Sequence, residues 1–310
     1  MFLVPDIERV YWMLTGRTKL LGIIGHPVGH SLSPRMHNAA FAADGVDYVY
    51  VPMDVGPDRL RAAVEGLAAL GFVGFNVTMP HKETVLLFMD ELDKAARLTG
   101  AVNTVMIEKG GGLRGFNTDG SGFVEACKEA GISLRGRRVL VLGAGGAASA
   151  IAGAALGEGA ARLYIVNRTM GRAEKLRGKL SASVRSEAEV LVRPFHDVGE
   201  VVAESEVLIN ATYLGMKKED PLPLPAESLS AEKVVCDAVY TAGVETALIR
   251  RAREAGARTV SGGQMLLYQG VQAQRIWTRR EPNVKAMSDA VSGAEDQATS
   301  RGQGSRISAY

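Results

Sequence analysis

Three observations predict an α/β protein of two domains. Short apolar runs alternate with amphipathic, helix-length segments, the pattern of a parallel sheet covered on both faces. A glycine-rich turn at Gly143–Ala148 joins one such run to a helix-forming stretch near the middle of the chain. A length of 310 residues is long for one domain and comfortable for two. The texture changes at Gly120, so an N-terminal α/β domain and a second domain are expected, with a cleft between them.

The elements follow in order. Lys19 to Gly25 is an apolar run ended by glycine and reads as the first strand. A helix starts at Ser33, where serine supplies the cap and Pro34 the first helical residue. Tyr48 to Met53 is a second strand, and Asp58 to Leu70 an amphipathic helix stopped at Gly71. Gly74 to Thr78 is a third strand, halted by Pro80. Helix signals return from Lys82 to Leu87 and near Asp93. Asn103 to Ile107 and Leu113 to Phe116 form a hairpin around Gly110, Gly111 and Gly112.

Beyond Gly120 come a helix from Gly122 to Ala130, a strand from Arg138 to Leu142, a helix from Ala147 to Leu156 and a strand from Arg162 to Val166. Val207 to Asn210, Val234 to Ala238 and Arg258 to Val260 are further strands, with helices between most of them. A last helix runs from Gln264 to Thr278, with Met265, Leu266, Val271 and Ile276 on its apolar face. The tail from Glu281 to Tyr310 is rich in Ser, Gly, Ala and Gln, has little to bury, and is expected to be disordered.

A net charge of +2, with acids and bases mixed along the chain, provides no concentrated basic field, so neither nucleic acid nor a membrane surface is an expected partner. No stretch approaches the ~20 apolar residues that span a bilayer. The opening segment carries Asp6 and Glu8 without a signal-peptide pattern. Cys127 and Cys236 lie far apart and outside any Cys-x-x-Cys pair, which fits a reducing, cytoplasmic setting. His26, His30, His37 and His81 place no His-x-x-x-His pair on one helix beside a carboxylate, so no metal is expected. The sequence does not fix the oligomeric state and leaves a homodimer open.

After the buried run Val139–Leu142, the residues Gly143-Ala144-Gly145-Gly146-Ala147-Ala148 turn into a helix. Gly143 permits the tight turn, Gly145 lets a pyrophosphate approach the backbone, and Ala148 allows close helix packing. The helix start then faces the phosphates with the positive end of its dipole. Strand, glycine turn and helix in that order are the context that makes the fingerprint specific for a dinucleotide in a Rossmann-type domain. The next strand ends at Asn167-Arg168-Thr169, with Arg172 following, where an NAD-binding chain usually carries an acid for the ribose diol. Two guanidiniums and two neutral donors suit a 2′-phosphate instead, and cations at a helix start are unfavourable to its dipole unless an anion is bound. NADP is the expected cofactor.

Three polar clusters remain. They are Gly25-His-Pro-Val-Gly-His30-Ser31-Leu-Ser33-Pro34, Gly74-Phe-Asn76-Val-Thr78-Met-Pro80-His-Lys82, and Gly115-Phe-Asn117-Thr118-Asp119-Gly120. Each follows or ends a strand, and ligands of open α/β sheets gather at strand ends. These clusters, with Ala101-Val-Asn103-Thr104, the glycine turn, Asn167-Arg-Thr-x-x-Arg172 and Gly263-Gln-Met265-Leu-x-x-Gln269, run in order from about Leu20 to Trp277. In this set the chain resembles the shikimate dehydrogenase family.

The resemblance implies an N-terminal substrate domain completed by the last helix, with the NADP domain inserted. Residues 1–17 are then an extension, 18–119 with 264–280 the substrate domain, 120–263 the Rossmann-type domain, and 281–310 a tail. The reaction implied is the reversible, NADPH-dependent reduction of 3-dehydroshikimate to shikimate in the chorismate (aromatic amino acid) pathway. Ser31 and Ser33 match the hydroxyls that hold the substrate carboxylate. Thr78, Lys82, Asn103 and Asp119 match the groups around the reacting carbonyl and its neighbouring hydroxyl. Tyr240 and Gln269 match residues closing the pocket. Thr212 and Gly263 join Gly143, Ala144, Gly145, Gly146, Ala147, Asn167, Arg168, Thr169 and Arg172 as cofactor-binding positions.

The residue types fit this chemistry on their own terms. Hydride arriving at a carbonyl leaves charge on oxygen that must be stabilised and protonated. A lysine ammonium is protonated at neutral pH, so Lys82 can give that proton, and Asp119 can hold the ammonium by ion pairing. Either Lys82 alone or the Lys82–Asp119 pair as a unit serves as acid and base. Taken alone, Ser33 reads as a helix cap and Asp119 as a turn residue or cap. The chain departs from the family pattern at Tyr213, at Thr241-Ala-Gly243 and at Ala273-Gln274. A paralogue acting on quinate and a non-catalytic NADP-binding sensor are the rival readings; the presence of both Lys82 and Asp119 argues against the sensor.

Overall fold

The computed structural model describes residues 14–217, 219–240 and 244–292. The first elements are β1 (Lys19–Gly25), α1 (Ser33–Ala43), β2 (Tyr48–Asp54), α2 (Leu60–Ala69), β3 (Gly74–Val77), β4 (Glu91–Leu92), α3 (Lys94–Thr99), β5 (Thr104–Ile107) and β6 (Leu113–Phe116). Then come α4 (Asp119–Glu129), β7 (Arg138–Leu142), α5 (Gly146–Gly157), β8 (Arg162–Asn167), α6 (Met170–Ser183), β9 (Glu189–Pro194) and α7 (Val198–Glu204). The series closes with β10 (Val207–Asn210), β11 (Val234–Asp237), α8 (Ala247–Glu254), β12 (Arg258–Val260) and α9 (Gly262–Thr278).

The chain divides into two compact units. The first holds described residues 14–93, 101–116 and 273–291, and the second 94–100, 117–272 and 292. Thus α3 and most of α9 lie in the second unit, where the sequence had assigned them to the substrate domain; the boundary falls inside α9, between Gln272 and Ala273.

In the first unit the sheet order is β2-β1-β3-β5-β6-β4. β1 runs parallel to both β2 and β3, while β5 is antiparallel to β3 and to β6. Strand order reverses beside β1, so the carboxyl ends of β1 and β3 form a switch point, where open sheets of this kind bind ligands. Its core joins Leu21, Ile23, Phe41 and Tyr50 to Ala273 and Trp277 of α9. Trp277 Nε1 donates to Val105 O at 2.9 Å and fills the space that a side chain at Gly74 would occupy.

The second unit is a parallel sheet in the order β12-β11-β10-β7-β8-β9. Its central strands read as unbroken apolar runs because both faces are covered: β10 and β11 are buried at every position. Strand order reverses between β7 and β10, which again marks a switch point at their carboxyl ends.

The structure corrects three expectations. Ser33 is the first helical residue of α1 and not its cap; Leu32 precedes the helix, no side chain caps it, and Leu32 O already accepts from Met36 N at 3.0 Å. The helix expected from Asp58 begins instead as a 3-10 turn at Pro57–Arg59 before α2. Disorder from Glu281 does not hold for the described part of the tail: residues 284–292 are helical, with Met287 and Val291 buried. Two apolar residues four apart on one helix face are enough to dock it. The rest of the tail, and the expected extension up to residue 13, lie outside the described residues.

Candidate active site and nucleotide site

Five of the expected substrate residues belong to the first unit. Ser31 and Ser33 sit where the loop from β1 enters α1; Ser33 is 3% exposed, and its amide donates to Ser31 Oγ at 3.3 Å. Ser33 does not cap the helix; its side chain instead hydrogen-bonds the buried Tyr50. Thr78 follows β3, its amide donating to Ile24 O at 2.9 Å, and Gly25 lies so close that a side chain there would overlap Thr78 Cγ2. This close approach draws the β1 and β3 ends together. Lys82, half-buried, lies in the turn that follows; its carbonyl accepts from Val102 N at 2.8 Å. That bond ties the lysine turn to Asn103, which is 2% exposed and leads into β5. His81 is held away from this role, its Nε2 in contact with Val55 O at 2.6 Å.

The other three belong to the second unit. Asp119 opens α4 and is buried, with its amide donating to Asn117 Oδ1 at 3.1 Å; a carboxylate in a first helical turn is favoured by the helix dipole. Thr118 Oγ1 donates to Gln269 Oε1 at 3.5 Å, so Gln269 reaches the same helix start as Asp119. The approach is close because position 122 is glycine: a side chain there would overlap the Gln269 backbone. Tyr240 follows β11 beside Gly262, whose missing side chain leaves room for the Val239 carbonyl and the Tyr240 amide. Thr241 to Gly243 lie outside the described residues.

The glycine turn has the form a dinucleotide requires. Gly143 adopts φ +118°, which excludes most side chains, and a side chain there would meet Ala211 O at 2.7 Å. Gly145 precedes α5 in extended conformation; no side chain caps the helix and its first turn carries no acid. Its amides therefore face an open approach. Ala144, Gly146 and Ala147 are half-buried around this start, and Ala148 is fully buried against the core. Asn167 ends β8 and donates to Thr169 O at 2.9 Å. Arg168 and Arg172 are exposed at the start of α6, which has no acid in its first turn, and neither has an acidic partner among the described residues. The donor set fits a phosphorylated ribose. Thr212, at the switch point, is fixed by Asn210, whose Oδ1 accepts from its amide at 3.1 Å and its hydroxyl at 2.7 Å.

Sequence reasoning missed the residues behind these. Asn210 Nδ2 donates to Asp237 Oδ1 at 2.8 Å, and Asp237 also accepts from Val239 N and Thr246 Oγ1. Burial raises the Asp237 carboxyl above its ordinary range, opposed by these hydrogen bonds. One buried carboxylate thus holds both the Thr212 loop and the start of the Tyr240 segment. The signal was a polar residue closing an otherwise apolar strand, in Val207-Leu-Ile-Asn210 and Val234-Val-Cys-Asp237. Asn76 and Thr104 stood inside quoted motifs without a role. Among the described residues no group of three or more His, Cys, Asp or Glu is placed to hold a metal, and no helix is long and apolar enough to cross a membrane.

A parallel Rossmann-type sheet with a glycine turn of the form a dinucleotide requires, and a first unit carrying an ammonium, hydroxyls and an amide beside its sheet switch point, define the class of a nicotinamide-dependent oxidoreductase. The model for the shikimate dehydrogenase substrate binding domain matches residues 23–105, and that for shikimate / quinate 5-dehydrogenase matches residues 125–216. A shikimate dehydrogenase (NADP(+)) of Rubrobacter xylanophilus is 56% identical over 280 residues, covering 90% of this chain and 98% of the relative. The crystal structure of shikimate 5-dehydrogenase from Listeria monocytogenes, in complex with shikimate and NAD, superposes with a TM-score of 0.82 at 40% identity, covering 89% of this chain and 97% of that one. The Thermus thermophilus shikimate 5-dehydrogenase, in complex with NADP(H) and shikimate, gives 0.80 at 35% identity, covering 89% and 100%. The chain belongs to the shikimate dehydrogenase family and is an NADP-dependent oxidoreductase.

Proposed function

We propose that this chain reduces 3-dehydroshikimate reversibly to shikimate, with Lys82 and Asp119 as its acid–base pair. When bound, NADPH supplies the hydride. Lys82 gives its ammonium proton to the carbonyl oxygen as charge develops there, and takes a proton back in the oxidative direction. Ser31 and Ser33 hold the substrate carboxylate, Thr78 and Asn103 orient the ring oxygens, and Tyr240 and Gln269 close the site. In the cofactor domain the turn from Gly143 to Ala147 receives the pyrophosphate, with Thr212 and Gly263 beside it. Asn167, Arg168, Thr169 and Arg172 receive the 2′-phosphate.

The observation that carries this reading is the placement of Lys82: half-buried, in a turn pinned to the Asn103 segment, at the carboxyl end of a switch-point strand. Consumption of NADPH on addition of 3-dehydroshikimate tests it, with oxidation of quinate and shikimate by NADP run in parallel. Quinate carries an extra hydroxyl on a saturated ring, which the substrate site has to admit. Turnover of quinate as fast as shikimate would assign the paralogue's activity. NADPH binding without turnover on any ring acid would assign a sensor.

The same reading makes the chain cytoplasmic, with neither nucleic acid nor a membrane as partner. Light scattering on a sizing column checks whether the chain forms a homodimer.

A further inference from the structure

Behind the substrate-facing residues of the first unit runs a buried hydrogen-bond chain with a defined direction. It begins at a backbone carbonyl, which only accepts: Asn76 Nδ2 donates to Asn103 O at 3.0 Å. That fixes the Asn76 amide, and its Oδ1 accepts from Tyr50 Oη at 2.7 Å. Asn76 Nδ2 also donates to Thr104 Oγ1 at 3.0 Å, and the Thr104 hydroxyl donates onward to Asn103 Oδ1 at 3.0 Å. Asn76, Asn103 and Thr104 are 4%, 2% and 0% exposed, so water does not substitute freely for any of these bonds. With the Asn103 amide reversed, two –NH2 groups would meet at one hydroxyl oxygen, and the Thr104 hydrogen would lose Oδ1 as acceptor.

We propose that Thr104 is a positioning residue that sets the polarity of Asn103: by holding Oδ1, its hydroxyl leaves the –NH2 as the group Asn103 offers to a substrate oxygen. The assignment rests on the reading of Asn103 as a substrate-facing residue. It makes Asn103 a hydrogen-bond donor toward the ring, suited to a carbonyl or hydroxyl oxygen. Thr104 acts through Asn103 and does not itself touch the substrate.

Thr104→Val keeps the shape and removes the hydroxyl. It is expected to lower kcat/KM for shikimate about two- to tenfold, while KM for NADP stays at the wild-type value. Thr104→Ser, which keeps the hydroxyl, is expected to restore the shikimate kinetics. Thr104→Ala serves the same test if the valine variant does not fold. Wild-type shikimate kinetics in Thr104→Val would overturn the proposal. So would a parallel loss for shikimate and NADP that serine does not rescue. Asn103→Ala, assayed alongside, separates the two levels. If it leaves shikimate kinetics unchanged, the substrate reading of Asn103 falls and the proposal with it; if it impairs them while Thr104→Val does not, the proposal alone fails.

Discussion

The amide of Val102 donates to the carbonyl of Lys82 at 2.8 Å, so the turn that carries the ammonium is tied through backbone to the segment that carries Asn103. The tie does not depend on the lysine side chain. Lys82→Ala is therefore expected to leave KM for shikimate within a modest factor and to lower kcat by about 100- to 10,000-fold, the range of a positioned acid. Turnover near wild type in this variant would contradict the proton-transfer role.

In the second unit, Arg168 and Arg172 have no acidic partner among the described residues and flank a helix start without acid. Arg168→Ala should raise KM for NADP about tenfold, the loss of one charge-assisted hydrogen bond at an exposed site. KM for NAD should change little. Equal effects on both would remove Arg168 from the 2′-phosphate site.

His37 is fully buried against Tyr50, with 4.4 Å between ring centroids, and its Nδ1 lies 3.1 Å from Gln274 Oε1. Burial lowers its pKa from 6.5 to about 4, with the Gln274 contact acting in the opposite direction. The folded state thus holds the neutral ring while the unfolded state takes up a proton. Stability from this source is complete above pH 6.5 and is lost as pH falls toward about 4. The loss is about 3 kcal/mol. Denaturant unfolding from pH 7 to 4 should show His37→Gln less stable at pH 7 but flatter with pH. Identical slopes would contradict the assignment.

Two glycines should respond oppositely to alanine. At Gly122 a methyl group would strike the backbone of Gln269, so Gly122→Ala should destabilise by about 1–3 kcal/mol and disturb the Asp119–Gln269 arrangement. Gly66, inside α2, has nothing within 4 Å of its would-be side chain, and Gly66→Ala should stabilise by up to about 1 kcal/mol. Thermal melts of the two variants check both signs.

Much of the fold is legible in the sequence alone. β1, β7 and β10 match their expected bounds because each is a short, largely apolar run punctuated at its ends. The nucleotide turn was legible because glycine there answers a backbone demand that Gly143 meets at φ +118°. β9 was not, since Glu189–Pro194 alternates weakly and ends in proline; it proves to be an edge strand, where that residue is tolerated. The tail helix was missed because composition counts apolar residues and ignores their spacing, and Met287 and Val291 need only their four-residue interval. Of the site, the residues with charge or a motif were visible. Tyr50 and Asp237 were not, and Asn76 stood in a motif without a role, because these roles come from burial and from partners distant in sequence.

The central claim is that a ring-acid site with Lys82 as its acid works with an NADP-selective nucleotide site. Oxidation of shikimate, followed by absorbance of the reduced nicotinamide with NADP and NAD in parallel, tests it most directly. Fast turnover with shikimate and a higher kcat/KM for NADP than for NAD is the expected result. A preference for NAD, or no turnover of shikimate by protein that still binds NADPH, would contradict it.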